Sequence, residues 1–230
     1  MKINDNFSGF KNTVEFYFIR HGQSEGNAMK IMQGRGEYHL SDQGRREAAA
    51  RGQSLKAELS DTRPEKILFF TSPLIRARET AQIISEEIGI RETKFPEPAP
   101  MDDLMEMDLG IWTEKIMDQV KEQDPSLWKD FQARSWDAIP GAESSVQLYD
   151  RAVRVWGALG DAAARQAAEK VIVISHSGAL QWIIKTSMDC HTWFPLFNLA
   201  GCGLCRFCAE YRPIEQTILP YWKEINLQVS

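Results

Sequence analysis

Arg20-His21-Gly22 places an imidazole between a fixed cation and a glycine, directly after the apolar run Phe16-Tyr17-Phe18-Ile19. A neutral imidazole nitrogen can attack phosphorus and form a phosphohistidine that water later hydrolyses. The other ring nitrogen is best held by a hydrogen bond that fixes the tautomer. Phosphoryl oxygens suit planar guanidinium forks better than ammonium groups, and Arg20 and Arg76 are the candidates. His176, in Ser175-His176-Ser177-Gly178, adds a third donor once protonated, a state that a bound dianion favours. A helix opening near 177–178 is expected to aim amide N–H groups at the same place. The departing oxygen needs a proton, and Asp102, Asp103, Glu106 and Asp108 offer carboxyl groups within one loop. Residue pattern alone does not choose among these four. Arginines and histidines can neutralise the developing charge, so such a site calls for no metal and no cofactor.

These residues need a scaffold that brings them to one rim. Nearly continuous apolar runs at 14–19, 67–70 and 171–174 read as buried strands. Ser41 with Asp42 signals a helix start, predicting a helix to about residue 59. Ser72 as N-cap with Pro73 behind it predicts a second helix, whose apolar face runs through Ala77, Ala81, Ile84 and Ile88 to a terminal Gly89. The stretch 91–100 reads as a strand or extended crossing, and 114–121 as a helical piece. Asp124-Pro125 opens a further helix, and the capping box Ser144-Ser145-Val146-Gln147 begins a long one to about residue 168. A helix over 179–187 and a terminal hairpin over 203–225 complete the chain. Alternating strands and helices predict an α/β three-layer sandwich, with a mainly parallel central sheet flanked by helices. Functional groups then collect at the carboxyl ends of the strands, where Arg20-His21, Ser72 with Arg76, and His176 all fall.

At this point the chain resembles the histidine phosphatase (phosphoglycerate mutase-like) superfamily. The resemblance begins with Arg20-His21-Gly22-Gln23-Ser24 and Asn27, and continues through Gln33-Gly34, Leu40-Ser41 and Ser72-Pro73-Leu74 with Arg76. Glu106 with Gly110 and Trp112, Pro140-Gly141 with Glu143-Ser144, and Ser175-His176 follow in the family's order. The resemblance implies that His21 is the phosphorylated nucleophile and that Arg20, Arg76 and His176 hold the phosphoryl group. It implies substrate-binding roles for Asn27, Gln33 and Gly34, and selects Glu106 as the general acid. Glu37, His39 and Thr113 stand where the family often has Asp, Pro and Gly, which bears on substrate identity. The Glu-Arg-x-Tyr motif of cofactor-dependent mutases is not evident near 94–100. The expectation is therefore a phosphomonoesterase of the histidine acid phosphatase type, with a phosphoglycerate mutase-like isomerase or a non-catalytic phosphate-binding module as alternatives. Specificity is expected from 31–39 and 112–143.

Composition sets the outer limits. A net charge of -5 argues against nucleic acid or an anionic membrane as the main partner, leaving a small phosphorylated substrate. The apolar content of 43% suits a globular chain, read as one domain over 1–230 with a loose arm over 1–13. No apolar run is long enough for a membrane span, and the polar start lacks a signal-peptide core, so the cytoplasm is expected. Cys202, Cys205 and Cys208 show metal-like spacing. On a strand they alternate faces, which favours packing thiols over a shared ion. His39, His191, Trp128, Trp136, Trp156 and Trp182 read as surface or packing residues. Oligomeric state is open.

Overall fold

The apolar runs at 14–19, 67–70 and 171–174 become three adjacent parallel strands. The computed structural model describes residues 7–89 and 95–228. In order they form β1 (Val14–Arg20), α1 (Glu25–Ala28), β2 (Ile31–Met32), α2 (Asp42–Leu59), β3 (Ile67–Thr71), α3 (Ile75–Ile88) and β4 (Ala99–Pro100). The second half holds β5 (Lys115–Ile116), α4 (Met117–Gln123), α5 (Pro125–Arg134), α6 (Ser145–Gln166), β6 (Lys170–Ser175), α7 (Ser177–Ser187), β7 (Leu204–Arg212) and β8 (Thr217–Leu227).

One sheet takes the strand order β4-β3-β6-β1-β7-β8. β1, β3, β4 and β6 run parallel, while the terminal hairpin β7–β8 joins antiparallel to β1. Side chains alternate faces along each strand. Phe16, Phe18, Val171 and Val173 pack beneath Trp156 of α6 and Leu180 of α7. Tyr17, Ile19, Ile172 and Ile174 pack against Leu55 of α2 and Ala81 and Ile84 of α3. The result is the α/β sandwich that the alternation predicts. Each fully buried Leu or Phe in these layers contributes about 1.5–3 kcal/mol.

Several local expectations change. The loose arm fails over its described part, 7–13, because Phe7 and Phe10 are buried, and Phe7 meets Trp156 edge-on at 5.8 Å. Two aromatic rings remove enough apolar surface to order a short segment. Residues 1–6 lie outside the described residues, as do 90–94, which hold most of the expected crossing before β4. Helix α3 begins at Ile75 without a side-chain cap of its own. Its first amide donates instead to Glu37 Oε2 at 2.8 Å. The helix expected from 114 starts at Met117, because Lys115–Ile116 pairs with Ile31–Met32. Cys202 lies in the turn before β7, whereas Cys205 and Cys208 take opposite faces of that strand.

Charge is also buried at the start of β1. Glu15, 7% exposed, accepts from Lys170, Lys223 and the Tyr17 hydroxyl. Burial alone would push this carboxyl up, but the two ammonium groups outweigh it and hold it at about 2, against an ordinary 4.5. A carboxyl depressed by folding stabilises the protein above its unfolded value, and the contribution fades as pH falls from 4.5 toward about 2. Glu15→Gln is expected to cost on the order of 2 kcal/mol at neutral pH. Thermal melts should show the gap between variant and parent closing across that acidic window, and a constant gap would contradict the assignment.

Candidate active site

Main-chain hydrogen bonds continue the sheet ladder past the strand ends. His21 N–H donates to Ser175 O at 2.9 Å, and Ser72 N–H to Ile174 O at 2.9 Å. His21, Ser72 and His176 are thereby brought side by side at the carboxyl ends of β1, β3 and β6. Gly22 permits a close approach here, since a Cβ would sit 2.4 Å from the Gly44 carbonyl oxygen in the first turn of α2.

The His21 tautomer follows from its partners. Nδ1 lies 2.7 Å from the Gly22 carbonyl oxygen, which can only accept, so Nδ1 carries the proton and Nε2 the lone pair. Arg76 Nε donates to that Nε2 at 3.3 Å. Burial, then the charges of Arg20 and Arg76, hold the imidazole well below its ordinary value, so it is neutral at physiological pH. The His176 ring is 5.0 Å away, with Nε2 2.7 Å from Ser72 Oγ. Burial and then the Arg76 charge push His176 well down too. Ser72, predicted as a helix cap, spends its hydroxyl on this histidine and on Leu74 N–H.

Two buried nitrogens beside His21 are left open. Among the described residues, Arg20 Nε and His176 Nδ1 are buried with no hydrogen-bond partner. Such groups are costly unless a ligand satisfies them. The rest of each arginine is braced by backbone. Arg20 Nη1 donates to Leu199 O at 2.5 Å, and Arg76 donates to Gly36 O at 2.7 Å and Gly34 O at 2.8 Å. Burial depresses both guanidinium groups from their ordinary value.

Glu106 meets the opening of α7. Its Oε1 accepts from Met107 N–H at 2.9 Å and Ala179 N–H at 3.2 Å, and its Oε2 from Gly178 N–H at 3.3 Å. The α7 amides at 178 and 179, which the sequence reading aimed at a phosphoryl group, hold this carboxylate instead. The first amides of a helix lack partners within it, and Glu106 supplies the acceptors. Of its rivals, Asp103 pairs with Arg154 at 2.8 Å, and Asp108 caps Gly110 N–H at 2.9 Å.

The loop carrying Glu106 is clamped from both sides. Arg151 of α6, buried, donates to both oxygens of Glu143 at 2.8 Å, and to the carbonyls of Asp103 at 3.0 Å and Met105 at 2.5 Å. Glu143 in turn accepts from Asp108 N–H at 3.4 Å and Arg35 Nη2 at 3.3 Å. Sequence reasoning missed Arg151. Its signal is an arginine on the face of α6 that also carries Leu148, Ala152, Val155 and Leu159.

Gly178 offers a sharp test of the Glu106 seat. A Cβ there would stand 2.5 Å from Glu106 Oε1 and 2.8 Å from Met107 Sδ. Gly178→Ala is expected to push the carboxylate aside and slow turnover by on the order of 10²-fold, with thermal stability nearly unchanged. Paired steady-state kinetics and melting curves check this, and a fully active variant would refute it.

Arg20, His21, Arg76 and Glu106 share a cavity of about 410 Å³ with Asn27, Gln33 and Gly34. These last three are partly committed to the wall. Asn27 Oδ1 accepts from Ser24 N–H at 3.1 Å, Gln33 Oε1 takes the Ser24 hydroxyl at 2.7 Å, and the Gly34 carbonyl holds Arg76. Ile31 and Met32 come from the expected specificity segment 31–39, and Met117 and Trp136 from 112–143. Trp136, read as a packing residue, therefore faces the cavity while meeting Trp112 edge-on at 5.8 Å. Gln181, Trp193 and Leu196 also line it and were not anticipated. A larger hollow of about 660 Å³ beside Glu79 and Ser85 holds none of the catalytic candidates. His39 opens onto that hollow, bonded to Glu79 at 2.7 Å, and His191 stacks on Tyr149 at the surface.

This fold and rim define a family. The model of the histidine phosphatase superfamily (branch 1) matches residues 16–218, and the chain belongs to that superfamily. Its relatives include phosphoglycerate mutase-like protein 4 of Arabidopsis thaliana, 31% identical over 171 residues, covering 73% of this chain and 68% of that one. Probable phosphoglycerate mutase GpmB of Salmonella choleraesuis (strain SC-B67) is 26% identical over 195 residues, 84% of each chain. Among solved structures, a mycobacterial glucosyl-3-phosphoglycerate phosphatase superposes with a TM-score of 0.75 at 20% identity, covering 94% of this chain and 100% of that one. A phosphoglycerate mutase from Bacillus anthracis str. Sterne does so at 0.73 and 17%, covering 93% and 94%. The two structures share the fold. No described helix is long and apolar enough to cross a membrane.

Proposed function

We propose that the protein is a metal-independent phosphomonoesterase working through phospho-His21. The observation that carries this reading is the unprotonated, neutral His21 Nε2 beside the unpaired nitrogens Arg20 Nε and His176 Nδ1. A phosphoryl group placed there satisfies Arg20 Nε, and His176 Nδ1 once that ring is protonated. In the first step the Nε2 lone pair attacks phosphorus and the bond to the alcohol oxygen breaks. Glu106 gives its proton to that oxygen, and the alcohol leaves. In the second step water attacks phosphorus, the P–Nε2 bond breaks, and Glu106 takes the proton from water. The dianion raises the proton affinity of His176, so Nδ1–H donates while Ser72 Oγ accepts from Nε2.

Hydrolysis is favoured over transfer to a second position of the same molecule because the Glu-Arg-x-Tyr motif of cofactor-dependent mutases is not evident in the sequence. Phosphate release from simple phosphomonoesters in excess EDTA tests the reading, alongside interconversion of 2- and 3-phosphoglycerate with added bisphosphate. Release without interconversion is the expected result. Interconversion that outpaces release, or release abolished by the chelator, would overturn it.

A further inference from the structure

The cavity extends beyond the phosphoryl site, and its outer wall differs in chemistry from its floor. Ile31, Leu109, Met117, Trp136, Trp193 and Leu196 form that wall. Among the described residues lining the cavity, the cations are Arg20 and Arg76, and both are beside His21. Two further cations reach backbone carbonyls of lining residues and are held there. Arg35 pairs with Glu143 at 3.3 Å and donates to the Glu106 carbonyl at 3.2 Å. Lys185 is buried behind the wall, donating at 2.6 Å to the carbonyls of Thr192 and Trp193. The neutral polar side chains added by α7 are Ser177, at its first turn beside Glu106, and Gln181, whose Oε1 is taken by Phe197 N–H at 2.9 Å.

Resting on the phosphatase reading, we propose that the leaving group this site takes is an uncharged apolar or aromatic alcohol, not a carboxylate-bearing or second-phosphate-bearing one. A carboxylate or second phosphate set beyond His21 would lose its water without gaining a cation. An aryl or alkyl group there buries apolar surface against Trp136, Met117 and Ile31, and a ring can stack on the indole. Leu196, 54% exposed, is at the open edge of this wall and admits a substitution without disturbing packing.

The comparison should match the leaving oxygen, so 2-phenylethyl phosphate is set against 3-phosphoglycerate, both esters of primary alcohols. We expect kcat/KM at least about tenfold higher for the phenylethyl ester, carried mainly by KM. Leu196→Lys should narrow that ratio about tenfold by supplying the missing cation. A second readout does not depend on turnover: quenching of tryptophan fluorescence on titration with 2-phenylethylphosphonate against 3-phosphonopropanoate. Tighter binding of the phenyl compound is expected. If neither ester is hydrolysed but the phenyl phosphonate binds tighter, the phosphatase reading fails while this inference stands. If esters are hydrolysed and phosphoglycerate is preferred, or the carboxylate phosphonate binds as well as the phenyl one, this inference is overturned.

Discussion

His21→Ala should abolish phosphate release, lowering kcat by on the order of 10⁴-fold or more, because among the described residues lining the cavity no other imidazole can accept the phosphoryl group in its place. The fold should survive. His21 is held by its main chain to Ser175 O, and its side chain bonds only Gly22 O and Arg76. Removing a buried imidazole that sits between two guanidinium groups leaves Arg76 still braced on Gly34 and Gly36. Parent enzyme mixed with a labelled ester and then quenched in alkaline detergent should carry acid-labile, base-stable phosphate on His21, and the variant none. A labelled variant with normal burst kinetics would end the proposal. The same geometry sets the pH profile. His21 titrates well below 6.5, pushed down by burial and by Arg20 and Arg76, so the nucleophile stays unprotonated as pH falls through 6.5. The acid limb of kcat/KM should therefore lie below the range of an ordinary histidine, and a limb at that ordinary value would assign it to another group.

Glu106→Gln is the second large effect, and its size should depend on the alcohol. A poor leaving group such as 2-phenylethoxide needs the proton, so kcat should drop by about 10²–10⁴-fold. With p-nitrophenyl phosphate, whose leaving oxygen departs as an anion, the drop in the first step should shrink to roughly tenfold or less. Glutamine keeps the size of the side chain and one carbonyl acceptor for the α7 amides, so position is changed less than charge. Equal losses for both esters would show that Glu106 positions the loop and does not transfer a proton. The Arg151–Glu143 clamp provides the contrast. Arg151→Met should lower stability and activity on both esters together, because it frees the Asp103 and Met105 carbonyls that fix the loop.

What was legible in the sequence was what depends on near neighbours. Ser144 and Gln147 form the predicted capping box, Ser41 caps Gly44 as its position suggested, and Gly89 takes the left-handed conformation at the end of α3. The three central strands were readable from unbroken apolar runs, since strands covered on both faces carry no alternation. Ser72 was misread because its partner, His176, is 104 positions away and no local signal competes with the Ser-Pro cap pattern. Glu106 could be chosen from four acids only through the family resemblance. The structure adds a local difference that the sequence hides: Glu106 accepts from the amides of Gly178 and Ala179, which arrive from 72 and 73 positions away. Trp193 and Leu196 escaped notice because their loop joins the cavity only after α7 and β7 are packed. The buried Phe7 and Phe10 were hidden by their polar flanks.

The rim and the wall differ in what holds them, and that difference bears on how such a chain can diverge. His21 and His176 owe their spacing to a main-chain ladder in which Arg20 is level with Ser175. No side-chain replacement on the surface alters that register. The outer wall instead draws side chains from segments around 31, 117, 136 and 193–196, which lie outside β1 and β6. Accepted alcohol and phosphoryl chemistry are thus separately heritable. On the phosphatase reading, a lineage could exchange one substrate alcohol for another through a few wall replacements while leaving the His21 rim as it is.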